Sequence, residues 1–61
     1  MPIVQIELFE GRTVEQKREM AAKVTEAIVD SLGVPAEAVR IIMRDMAPEN
    51  FAVAGKLRAD K

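Results

Sequence analysis

Two stretches that alternate apolar and polar residues flank one long amphipathic stretch, and this order constrains the fold more than any other feature of the chain. Ile3 to Phe9 reads Ile-Val-Gln-Ile-Glu-Leu-Phe, with Val4, Ile6 and Leu8 on one parity and Gln5 and Glu7 on the other. Alternation with period two makes a strand with one apolar face. Glu10-Gly11-Arg12 interrupts it, and Gly11 permits a sharp turn. Thr13-Val14-Glu15-Gln16 then opens a helix: the Thr13 hydroxyl can cap free backbone N–H groups while Gln16 reaches back in a capping box. Met20, Val24, Ala27, Ile28 and Leu32 recur at helical spacing with Ala21 beside them, and Glu15, Arg18, Glu19, Lys23, Glu26 and Asp30 mostly fill the other side. Gly33 is a natural C-cap, and Pro35 prevents continuation.

Val39 to Met46 reads as a second strand, with Val39, Ile41 and Met43 on one face and Arg40, Ile42 and Arg44 on the other. Two strands joined by a helix form a βαβ unit, which predicts an α+β chain with parallel strands and a right-handed crossover. Ala47-Pro48-Glu49-Asn50 reads as a turn. Phe51 to Gly55 is expected to be a loop with a short extended piece that docks on another subunit, and Lys56 to Lys61 a loose polar tail.

Such a unit cannot close its own core. The chain has 61 residues, and a domain of that size buries only about 60% of its unfolded surface. Small folds compensate with disulfides, metals or self-association. The chain has no Cys and no His, which removes disulfides and disfavours a zinc or other soft-metal site. Self-association is left, and a hydrophobic fraction of 49% supplies the apolar surface for it. One helix covers one sheet face, so Ile3 and Ile42 on the other face need partners from further copies, through edge pairing and sheet packing. Nine basic residues against ten acidic ones, with no basic stripe and two aromatics, make nucleic acid a poor partner. Neither a membrane span nor a signal peptide is legible, so the expected location is the cytoplasm.

The same absences narrow the chemistry. There is no Cys nucleophile and no His to complete a serine triad, and Ser31 lies in the helix. Gly55-Lys56 lacks the first glycine of a phosphate loop. Glu7, Glu10 and Asp45 are possible bases, but no spacing pairs them. Pro2 is different. Methionine is commonly trimmed before a small residue, and trimming Met1 would turn the Pro2 nitrogen into a secondary amine that accepts a proton. The plainer reading is a translation-start residue. Arg12 lies in a turn, as a solvated charge or a functional one. Arg40 lies in a strand where an apolar or β-branched side chain would fit better, as an exposed or ion-paired residue or a functional one. Phe51 follows a turn, as an interface or core aromatic or as part of a pocket.

The Met1-Pro2 start, the strand ending in Glu10-Gly11-Arg12, Glu15-Gln16-Lys17, Val39-Arg40-Ile41-Ile42 and Asn50-Phe51-Ala52-Val53-Ala54-Gly55-Lys56 together resemble the 4-oxalocrotonate (2-hydroxymuconate) tautomerase family. The resemblance spans essentially the whole chain, as a single domain over 1–61. Each piece alone is common; their order and spacing are specific. The resemblance implies a homohexamer, a trimer of dimers, with composite active sites. It implies Pro2 as general base, Arg12 and Arg40 as catalytic and substrate-binding residues, and Phe51 as the pocket aromatic. It implies an isomerase that converts an unsaturated 2-hydroxy acid to its keto isomer with no cofactor and no metal. The superfamily also holds hydratases and dehalogenases of unsaturated acids that use the same proline, and a chain that retained Met1 would be a non-catalytic oligomeric binding protein. These readings stay open on sequence alone.

Overall fold

The computed structural model describes residues 1–60. Strand β1 runs Ile3–Phe9, helix α1 Val14–Leu32 and strand β2 Arg40–Met46. Strands β1 and β2 pair in parallel, in the register Ile3↔Arg40, Ile6↔Met43 and Phe9↔Met46. This is the βαβ unit that the two periodicities predict. Gly11, at φ 117°, makes the turn out of β1. The helix starts as its residues dictate. The Thr13 side chain accepts from the Gln16 N–H at 3.1 Å, and Gln16 Oε1 accepts from the Thr13 N–H at 3.0 Å. It ends at Gly33 in the left-handed region, whose N–H bonds the Val29 carbonyl.

Val4, Ile6, Leu8, Ile41 and Met43 lie half-buried under the helix, as their parity requires. The helix answers with Lys17, Met20, Ala21, Val24, Thr25, Ile28 and Val29. Two members of the expected apolar stripe fall outside this face: Ala27 and Leu32 are exposed, and Thr25 and Val29 take their places. Asp45, on the helix-covered parity of β2, is bridged by Lys17 Nζ at 2.8 Å. On the uncovered face Arg44 reaches Glu7 Oε2 at 2.9 Å, while Ile3 and Ile42 stand open.

Three details refine or depart from the sequence pattern. A single 3₁₀ turn, Ala36–Ala38, precedes β2, and Val39 closes it, so β2 begins at Arg40. The turn expected at Ala47-Pro48-Glu49-Asn50 is present as a second 3₁₀ turn over Pro48–Asn50. The expected short extended piece is strand β3 (Ala52–Val53), whereas the expected loose tail instead supplies its antiparallel partner β4 (Lys56–Leu57) and a 3₁₀ turn over Arg58–Asp60, so that the two form a hairpin. Both residues of its two-residue loop have positive φ, 54° at Ala54 and 80° at Gly55, the signature of a type I′ turn. Strands of two residues carry almost no pattern, which is why the chain's own sequence hides them.

Among the described residues none is fully buried. The accessible surface is 4796 Å², against roughly 3,900 Å² for a compact folded monomer of this mass. The radius of gyration is 14.7 Å, against about 10.5 Å for a compact chain of this length. The subunit is a thin plate, 43 × 24 × 13 Å, without an enclosed core.

Candidate active site

The four residues singled out from the sequence fall into two groups at opposite ends of the sheet. Pro2 immediately precedes β1 and is half-buried. Its carbonyl accepts a hydrogen bond from the Arg40 N–H at 3.0 Å, which fixes the start of β1 against the start of β2. The Arg40 guanidinium lies on the uncovered sheet face and donates to the Ala38 carbonyl at 3.3 Å. Pro2 and Arg40 are thus neighbours because the strands are parallel and in this register. With Met1 attached the Pro2 nitrogen is an amide with no basic lone pair; as an amine it would sit at the rim of the sheet.

Arg12 and Phe51 lie at the other end. The Gly11 turn carries Arg12 past the end of β1, where it lines a cleft of about 490 Å³ with Leu8, Phe9, Glu10, Gly11 and Arg58. Arg12 also borders a second cleft of about 400 Å³, between Leu8 and the helix residues Gln16, Met20 and Val24. Phe51 packs its edge against the Phe9 ring, with centroids 5.3 Å apart and the planes at 90°. The Arg58 guanidinium lies over the same Phe9 ring, 5.1 Å from its centroid. An aromatic corner with a cation on it therefore flanks the Arg12 turn.

A seven-residue strand separates the two groups, about 23 Å at the usual rise. No arginine side chain spans that distance, so one chain does not bring Arg12 to Pro2. Ion pairing distinguishes the arginines further. Arg18 is bound to Glu15 and Arg44 to Glu7. Among the described residues Arg12, Arg40 and Arg58 make no ion pair. Arg12 and Arg40 are the two that the motifs select. Phe9 and Arg58 escape the motif reading: Phe9 looks like a strand terminus and Arg58 like a tail charge. Only the hairpin, invisible in the pattern, brings Arg58 back over β1. Among the described residues no cluster of acidic side chains could hold a metal, and no helix is long and apolar enough to cross a membrane.

Comparison with known proteins decides the family. The model of the tautomerase enzyme family matches residues 2–61. The chain belongs to the tautomerase family. A probable tautomerase of Streptococcus pneumoniae is 48% identical over 58 residues, 95% of this chain and 97% of that protein. The 2-hydroxymuconate tautomerase of Bacillus subtilis is 42% identical over 60 residues, 98% of this chain and 97% of that one. Among solved structures, the 4-oxalocrotonate tautomerase homologue YwhB superposes with a TM-score of 0.94 at 40% identity, covering 98% of each chain. A heterohexameric 4-oxalocrotonate tautomerase from Chloroflexus aurantiacus gives 0.90 at 33% identity, covering 98% of this chain and 97% of that one. This member of the family is therefore a tautomerase-like isomerase built on the family's βαβ subunit, and assembly into oligomers is typical of that family.

Proposed function

We propose that the chain, after removal of Met1, is a homohexameric tautomerase that ketonises an unsaturated 2-hydroxy acid of the 2-hydroxymuconate type, with Pro2 as general base. The observation that carries this reading is the separation of two incomplete half-sites, Pro2 with Arg40 and Arg12 with Phe51, on a subunit whose described residues form no enclosed core. Both deficits have one remedy, which is assembly. Copies that cover the open sheet face would bring the start of one sheet to the end of another.

The chemistry follows from the residues. A free α-amino group has a pKa of about 7.7–8.0. Apolar surroundings such as Phe51 and nearby guanidinium charges disfavour its protonated form, so the neutral amine is available as a base. It takes the proton of the enol hydroxyl. The O–H electron pair becomes the C=O π bond, the diene electrons shift outward, and the prolinium returns a proton to carbon. No atom is gained or lost and no cofactor is needed. Arg40, with no carboxylate of its own, offers its fork to the substrate carboxylate. Arg12 stabilises charge that develops on oxygen. The proposed place of action is the cytoplasm.

The test joins two measurements on one preparation. Intact mass establishes whether Met1 is gone, and the ultraviolet change of 2-hydroxymuconate reports ketonisation. Processed protein is expected to be active and Met1-bearing protein inactive. Hydration or halide release from unsaturated acids without ketonisation would move the chain to the hydratase or dehalogenase reading.

A further inference from the structure

We propose that Arg58 is a specificity-determining residue, which beside Arg12 adds a charge-assisted contact to the second carboxylate of the 2-hydroxymuconate-type substrate, at the end of the cleft remote from Arg40. This deepens the tautomerase reading and rests on it for the placement of Arg40 on the first carboxylate.

Four observations meet at this residue. First, Arg58 is the one arginine besides Arg12 and Arg40 that makes no ion pair among the described residues. An arginine on a subunit with ten acidic residues that takes none of the described ones is available to an anion. Second, it is not a free-swinging tail charge. Its backbone N–H bonds the Phe51 carbonyl at 2.8 Å, which closes the hairpin, and its guanidinium is held over Phe9. A planar fork already positioned on a ring loses little freedom when it binds a carboxylate. Third, Arg58 and Arg12 line the same cleft. Among the described residues Glu10 is the one carboxylate in that lining and pairs with neither, so the described side chains of the cleft wall carry a net positive charge. Fourth, the cleft volume of about 490 Å³ falls within the range of small-molecule pockets, roughly 300–1,000 Å³. Phe51 also places Arg58 beside the aromatic of the proposed pocket, since both residues pack on Phe9.

The alternative role for Arg58 is structural, with the cation serving only to hold Phe9 and the hairpin. The two roles separate by ligand charge. Calorimetric titration would use muconate, an unsaturated six-carbon dicarboxylate, and sorbate, its monocarboxylate counterpart, with unsubstituted protein and with Arg58→Gln. Sedimentation on the same samples confirms equal assembly. The ratio of muconate to sorbate affinity is expected to fall about tenfold in Arg58→Gln, the scale of one lost charge-assisted contact. Equal weakening for both acids, or an unchanged ratio, overturns the proposal. Arg58→Leu keeps an apolar stem against Phe9 and carries the same comparison if the Gln variant assembles poorly. Binding of non-reacting acids does not need the Pro2 amine to act as a base. An unsubstituted protein shown by intact mass to lack Met1 that binds muconate over sorbate without ketonising 2-hydroxymuconate would therefore sink the base reading and leave the Arg58 result standing.

Discussion

At Pro2 the proposed chemistry depends on a single bond, the one to Met1. Pro2→Ala keeps an α-amino group but replaces a secondary amine with a primary one. Because a general base contributes on the order of 10²–10⁴-fold, kcat is expected to fall by about two orders of magnitude while a remnant persists. Unchanged sedimentation of the variant shows that the loss is chemical. The arginines differ in kind. Arg40→Ala is expected to raise KM and lower kcat, and Arg12→Ala to act on both, each costing about tenfold or more in kcat/KM. Full activity in either variant, with assembly intact, returns that residue to a surface charge. The motifs made Pro2, Arg12, Arg40 and Phe51 legible as candidates because each stands at a fixed offset from a strand end or turn. Arg58 was not legible. Its place depends on a hairpin whose strands are two residues long, and its partner ring, Phe9, lies 49 positions earlier in the chain.

The elements themselves were legible in proportion to their length. Strand β1 and helix α1 have seven and nineteen residues, enough to display a period and its punctuation. Strand β2 was legible but for its first residue, because Val39 fits the alternation while its N–H is bound to Ala36 in the preceding turn. The hairpin is hidden in the sequence because Ala54 stands where a type I′ turn favours Asn or Gly. A non-glycine residue in the left-handed region costs roughly 1–2 kcal/mol, and glycine returns part of that as unfolded-state entropy. Ala54→Gly is accordingly expected to stabilise the protein by about 0.5–1 kcal/mol, read as a rise of a few degrees in Tm at fixed protein concentration. A lower Tm would show that the Ala54 methyl makes a favourable contact in the assembly that outweighs its strain.

For the molecule as a whole, the lack of any fully buried residue among the described ones leads us to expect that folding and association are one process. Melting temperature should therefore rise with protein concentration, as it does when the native state is an assembly. Ile42, 40% exposed on the uncovered face, is the place to test this. Ile42→Glu would set a carboxylate in the surface that partners must cover, and the variant is expected to be largely unfolded by circular dichroism at micromolar concentration. A folded, sedimenting monomer would contradict both expectations. The distance between Pro2 and Arg12 has a last consequence, and it belongs to inheritance. Two alleles that are each impaired, one encoding Pro2→Ala and the other Arg12→Ala, damage opposite ends of the sheet. When both chains are made in one cell and assemble at random, about a quarter of the sites draw an intact end from each kind of chain. The two defective genes should then complement one another, restoring about a quarter of normal turnover where Pro2→Ala alone gives about a hundredth and Arg12→Ala alone about a tenth or less.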